Sequence, residues 1–343
     1  MQVLEDLNNS LRDNLLLVGY LILSQRYFVM FHKILLVNIK ESDIDQSYWK
    51  RIDSITQKKV FLPKDSPNIV KEIKDADCLL VGFATHVTKE HIDAAPHLKY
   101  IGTSAVAFHN IDVEYARKRA IPVTNIAGYC TDAVAEFIIA SILNEIRHLD
   151  EGKERARNNN YEFRGINPSQ IKGKIFAVFG LGNIGKRTAE IAKGFGADVR
   201  YWSKHRKKDF EENGIKYEDK DSLLRNSDFI SLNFAHTPET EKFLGKKEFS
   251  EIKSGAVVVN TVPMETIDLD ALENRLNKND IIFISDHSDE MKKEDLTKIK
   301  KYKNCITYPP IAFNTKEAII NKNNLFVGNI ENFLKGHPTN VVN

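Results

Sequence analysis

The string GLGNIG, Gly180 to Gly185, constrains this chain more than any other six residues. It closes an apolar run, Lys174 to Phe179, and opens a segment in which Ile184, Thr188, Ile191, Ala192 and Phe195 fall on one helical face. Strand, glycine turn and helix in that order form the first unit of a doubly wound parallel sheet. Gly180 permits the tight turn, Gly182 lets backbone N–H groups approach a pyrophosphate, and Gly185 lets helix and strand pack closely. The helix N-terminus, beginning with Asn183 and Ile184, then faces the negative charge. A dinucleotide site is expected here; the plain alternative is a glycine turn without a ligand.

The same alternation runs through the chain. Short apolar runs at KILLVN (33–38), CLLVGF (78–83), LKYIGT (98–103) and IPVTNI (121–126) suit parallel strands covered on both faces. Residues 131–149 then read as one long helix, with Thr131 or Asp132 as N-cap and Val134, Phe137, Ile138, Ser141 and Ile142 on one stripe. A second series follows: KIFAVFG, DVRYWS, FISLNF, AVVVNTV, IIFISD and CITYPP, six strands in all. The segment 315–336 reads as a helical tail that crosses back to the first domain. The expected fold class is therefore α/β: two Rossmann-like or flavodoxin-like parallel-sheet domains, the dinucleotide-binding domain inserted into a discontinuous first domain.

With 343 residues and a formal net charge of +2, the chain has material for two cores and no overall imbalance that would draw it to nucleic acid or an anionic membrane. Cys78, Cys130 and Cys305 are scattered, without metal-ligand spacing and too few for a disulfide framework. Free thiols, no metal and a cytoplasmic setting are expected. Residues 1–30 read as an atypical extension: the apolar run Leu15 to Leu23 is too short to span a bilayer and lacks the flanks of a signal peptide. Met30 directly precedes the first convincing strand.

The strand DVRYWS should end on an acid, about 20 positions past the glycine motif, if the bound ribose carries a free 2′-hydroxyl. Ser203 stands there, followed by Lys204, His205, Arg206, Lys207 and Lys208. Losing the carboxylate removes repulsion from a 2′-phosphate, which Ser203 with Lys204 or Arg206 would bind through charge-assisted hydrogen bonds. NADP(H) is expected in preference to NAD(H). A solvated surface turn would also explain the lysines, but not the missing acid.

Taken together, these motifs resemble the D-isomer-specific 2-hydroxyacid dehydrogenases, the family of glycerate and phosphoglycerate dehydrogenases and of hydroxypyruvate and glyoxylate reductases. The likeness runs from about residue 33 to 335. LKYIGTSAVAFHNID resembles the family's substrate-carboxylate loop, VTNIAGYCTDAVAEF its entry to the linking helix, and TPETEKFLGKKEFSEIKSGAVVVNT the stretch after its fingerprint. The resemblance implies a substrate domain of residues 31–130 and 312–343, a nucleotide domain of residues 131–311, and a homodimer. It also implies a small-molecule substrate, a 2-oxo or 2-hydroxy acid or another carbonyl compound.

Catalysis in that family, as the resemblance implies, uses an arginine on the substrate carboxylate and carbonyl, a histidine as proton donor, and a glutamate that tunes the histidine. Hydride transfer to a ketone develops alkoxide charge that an acid must quench. Where the arginine is expected, NTV is followed by Pro263; where the histidine is expected, Tyr308 and Pro309 are followed by Pro310. Proline has no side-chain donor and does not titrate. Thr261 and Asp286 keep places beside the cofactor, whereas Glu290 falls one residue short of the glutamate's place. In the carboxylate loop, which includes Val106, the usual glycine and acid become Ala107 and His109.

Glu290 and His287 are the substitute catalytic candidates, with His236, His109 and the Tyr308 phenol also weighed; each has an ordinary packing or solvated reading. Glu265 and Asp268 read as caps of the helix beginning near Leu269. Two functions follow: an NADP-preferring oxidoreductase with a relocated acid, or an NADPH-binding sensor or scaffold without turnover.

Overall fold

The structure, a computed structural model, describes residues 30–288 and 291–343. The expectations for residues 1–29 and for Glu290 lie outside the described residues. The chain divides into two compact units, one running to Ala127 and completed by Lys322–Asn343, the other Gly128–Asn321.

The first unit is built on a five-stranded parallel sheet in the order β2-β1-β3-β4-β5. The strands are β1 (Phe31–Val37), β2 (Thr56–Leu62), β3 (Cys78–Val81), β4 (Tyr100–Thr103) and β5 (Val123–Thr124). Every residue of β3 and β4 is buried, as a sheet covered on both faces requires. β2 was not expected: its TQKKVFL run is polar, and beyond Thr56 it is exposed or half-buried, because it is an edge strand. Phe326, Val327 and Ile330, on the helix Lys316–Leu334, return to this core. Phe333 of that helix lies over Tyr100, with ring centroids 4.9 Å apart.

Lys33 is the exception among the buried residues of β1, at 1% exposure. Its ammonium donates to the Glu72 carbonyl and carboxylate at 2.7 and 2.8 Å and to Asp75 Oδ1 at 2.6 Å. A buried charge is tolerated only when paired in this way.

The second unit carries a seven-stranded parallel sheet in the order β12-β11-β10-β9-β6-β7-β8. The strands are β6 (Ile175–Phe179), β7 (Asp198–Trp202), β8 (Lys216–Tyr217), β9 (Phe229–Leu232), β10 (Val257–Asn260), β11 (Ile282–Ser285) and β12 (Cys305–Thr307). Six of these match the expected runs; β8 is a two-residue edge addition that no apolar run announced. Successive residues feed opposite cores. Phe176, Val178, Val257 and Val259 face one cluster, and Ala177, Phe179, Val258 and Phe283 the other.

The expected helix 131–149 is two helices, Thr131–Ile146 and Leu149–Arg157. His148, at φ 49°, adopts the left-handed conformation that stops the first. Its N-cap is Cys130, without a side-chain bond, rather than Thr131 or Asp132. Thr131 Oγ1 instead donates to the Gly128 carbonyl, and Asp132 pairs with Arg187 at 2.6 Å. Of the stripe, Val134, Ile138, Ser141 and Ile142 are buried. Phe195, expected on the inner face of the helix Asn183–Gly194, is 45% exposed, because the helix ends there and the ring follows the turn outward.

Candidate active site

Strand register brings the site together. Pairing aligns Trp202, Phe179, Leu232, Asn260, Ser285 and Thr307 in one row across β7, β6, β9, β10, β11 and β12. The next residue of each strand, Ser203, Gly180, Asn233, Thr261, Asp286 and Tyr308, therefore stands at the carboxyl edge. The chain runs from β6 outward to β7 on one side and returns to β9 on the other, which puts a topological switch point at β6 and β9. Ligands of doubly wound sheets bind in the crevice outside that point.

Gly180 has φ 90°, and a Cβ there would lie 2.8 Å from the Phe234 nitrogen. A Cβ on Gly185 would meet the Gly180 carbonyl oxygen at 2.0 Å. Both glycines are required by the fold itself. Gly182 differs: a Cβ there meets no atom within 4 Å, so the space before it is open. Gly182 is also the N-cap of the helix Asn183–Gly194 and offers no side-chain cap. The amides of Gly182, Asn183, Ile184 and Gly185 find no acceptor among the described residues. Unclaimed donors, the positive end of a helix and open space in front fit the pyrophosphate of a dinucleotide.

Asn233, which sequence reasoning missed, stands beside Gly180. Its Nδ2 donates to Ser231 Oγ at 2.9 Å, while its buried Oδ1 has no partner among the described residues. A buried acceptor left open costs free energy unless a ligand hydroxyl or amide reaches it. The signal in the sequence was only that it follows β9, as Gly180 follows β6. Thr261 Oγ1 donates to the Leu232 carbonyl at 3.1 Å, tying β10 to β9 at the same edge.

At the end of β7 the cations are partly committed. Ser203 is buried, and its hydroxyl donates to the His205 carbonyl at 2.6 Å. Lys204 lies 3.5 Å from Glu239, both well exposed. Arg206 grips Glu211 with two bonds, of 2.7 and 2.6 Å.

Pro263 is half-buried and opens the turn Met264–Thr266, its carbonyl accepting from the Thr266 amide and hydroxyl. The buried Met264 sulfur accepts from Asn260 Nδ2 and from Ser285 Oγ, each at 3.3 Å. Asp286 is 1% exposed, and its Oδ1 accepts the amides of Ile311 and Ala312 at 3.0 and 3.1 Å. The segment after Pro310 is thus braced on Asp286.

Tyr308 turns toward the helix Thr131–Ile146, its ring edge-on to Phe137 with centroids 5.4 Å apart. Burial raises its pKa, and the charges of Glu145 and Asp150 raise it further. Its half-buried ring is packed against that helix. His236 is held by Glu241 at 2.7 Å. Asp268 caps the helix Leu269–Leu276 by accepting from the Ala271 amide at 3.0 Å, and Glu265 is exposed in the preceding turn. His287 is half-buried next to Asp286.

Val106, Ala107 and His109 belong to the first unit, in the loop after β4, and all three are exposed. Among the described residues no group of three or more His, Cys, Asp or Glu side chains is placed to hold a metal ion. No helix there is long and apolar enough to cross a membrane.

A strand–glycine loop–helix unit at the switch point of a doubly wound sheet defines a dinucleotide-binding protein. Residues 139–312 match the profile described as "D-isomer specific 2-hydroxyacid dehydrogenase, NAD binding domain". The chain is 35% identical over 292 residues to a glyoxylate reductase of Thermococcus litoralis, covering 82% of this chain and 88% of that one. Among solved structures it resembles an acyclic imino acid reductase in complex with NADPH and D-Arg (TM-score 0.78, 28% identity, 91% of this chain and 100% of that one). It also resembles the D-lactate dehydrogenase of Aquifex aeolicus complexed with NAD and lactic acid (TM-score 0.77, 26% identity, 88% and 96%). The chain belongs to the D-isomer-specific 2-hydroxyacid dehydrogenase family.

Proposed function

We propose that the chain is a nicotinamide-dinucleotide-dependent oxidoreductase that prefers NADP(H) and acts on a small carbonyl or hydroxy-acid substrate with altered acid–base chemistry. The observation that carries this reading is the pairing of an open phosphate loop with prolines at 263 and 310. Gly182 and the amides through Gly185 would hold the pyrophosphate, and Ser203 with Lys204 or Arg206 the 2′-phosphate. A bound nicotinamide supplies the hydride. Residues 131–311 act as the nucleotide domain, residues 31–130 and 312–343 as the substrate domain. Glu290 and His287 are the candidate acid groups, and Val106, Ala107 and His109 the substrate loop.

With neither an arginine fork nor an imidazole at these two positions, turnover of glyoxylate or hydroxypyruvate is expected at least about 100-fold below that of relatives carrying the full trio. NADPH oxidation followed by absorbance over a panel of carbonyl compounds tests this, and a turnover number typical of the family would overturn it. The two prolines also favour a second reading, an NADPH-binding sensor or scaffold without turnover. Tight NADPH binding with no oxidation over the whole panel would select it. A homodimer through the nucleotide domain is supported by Tyr161 and Phe163, which stand 80% and 75% exposed on that unit. A scattering mass near that of a single 39.2 kDa chain would remove it.

A further inference from the structure

The cations expected to hold a 2′-phosphate are not equally available, and the difference points to one residue. Arg206 presents Nε and Nη2 to the two carboxylate oxygens of Glu211, and its guanidinium lies 5.4 Å over the Tyr217 ring. Glu211 is itself anchored. The buried Tyr201 donates its hydroxyl to Glu211 Oε1 at 2.9 Å and accepts the Lys207 amide at 2.7 Å. Tyr201 packs edge-on against Tyr217, with centroids 5.4 Å apart. The Arg206 hydrogen bond holds the Glu211 carboxyl down at about 2, so the pair stays ionised wherever a dinucleotide would be bound.

A phosphate and this carboxylate ask for the same bidentate face of the same guanidinium. We infer that Glu211 is a specificity-determining residue for the cofactor: it competes with the 2′-phosphate for Arg206 and so limits discrimination between NADPH and NADH. This inference rests on the reading of Ser203–Arg206 as the 2′-phosphate site. NADH, without that phosphate, leaves the Arg206–Glu211 pair undisturbed.

Glu211→Gln removes the charge and keeps an oxygen for the Tyr201 hydroxyl. Its dissociation constant for NADPH is expected to fall about five- to tenfold at constant ionic strength, with that for NADH unchanged. In the Glu211→Gln/Arg206→Ala double variant the gain disappears. Calorimetric titration of the full-length wild type and both variants with NADPH and NADH decides the matter. Unchanged or weaker NADPH binding by Glu211→Gln, with wild-type preference intact, overturns this inference alone, because Glu211 then holds Arg206 in place. A wild type without preference, whose Glu211→Gln variant gains for NADPH only, removes the preference and supports the inference. A wild type that binds neither dinucleotide removes both.

Discussion

Gly182 and Gly185 of the phosphate loop do different work, and substitution separates them. Gly185→Ala drives a methyl group into the Gly180 carbonyl, so helix and strand must part, at a cost of about 1–3 kcal/mol. Gly182→Ala meets no protein atom and should leave stability within about 0.5 kcal/mol of wild type. The same methyl group occupies the space in front of the helix amides, so dinucleotide binding should drop at least about tenfold. Urea denaturation and a dinucleotide titration on the two variants check the contrast. Wild-type dinucleotide affinity in Gly182→Ala would mean that Gly182 has no ligand before it.

Between β1 and the short helix Ile69–Glu72, Lys33 provides a test in pH. Burial alone would lower its pKa, but the bonds to Asp75 and Glu72 outweigh that and raise it above 10.5, while those carboxyls fall below their ordinary 3.8 and 4.5. The carboxyl contribution is therefore present above the unfolded-state values and lost as pH falls through the depressed ones. The Lys33 contribution is present below 10.5 and lost as pH rises past its raised value. The contribution of this cluster should be constant from about pH 5 to 10 and fall on either side, and Lys33→Met should remove the part of each limb that it supplies. Denaturation midpoints across that range provide the measurement. Elements of this kind also mark how far a sequence can be read. Strands such as Cys78–Val81 and Val257–Asn260 were legible because both faces are buried, and the glycine loop because a missing side chain is a local property. Thr56–Leu62 and Lys216–Tyr217 were not, since edge strands carry polar residues or almost none. The open Asn233 acceptor, the commitment of Arg206 to Glu211 and the turn of Tyr308 toward Phe137 arise from cross-sheet register and packing, which no local pattern records.

At the scale of the molecule, the first unit is closed by residues far from its start. Thr124 bridges antiparallel to Val341, and Val342 donates its amide to the Val123 carbonyl at 2.8 Å. Asn343 Oδ1 accepts from the Val123 amide at 2.8 Å, and its Nδ2 donates to the Ile121 carbonyl at 2.8 Å. Deleting residues 341–343 should cost the first unit about 2 kcal/mol through these lost bonds, leaving dinucleotide binding by the second unchanged. A denaturation curve that shifts as one transition, with binding lost in parallel, would contradict that independence. The arrangement also sets an order of events on the ribosome. The inserted unit, Gly128–Asn321, is contiguous and has all its strands as soon as it emerges, whereas the earlier-made sheet waits with one flank uncovered until residues 322–343 have been synthesised. The unit begun first is thus the unit completed last.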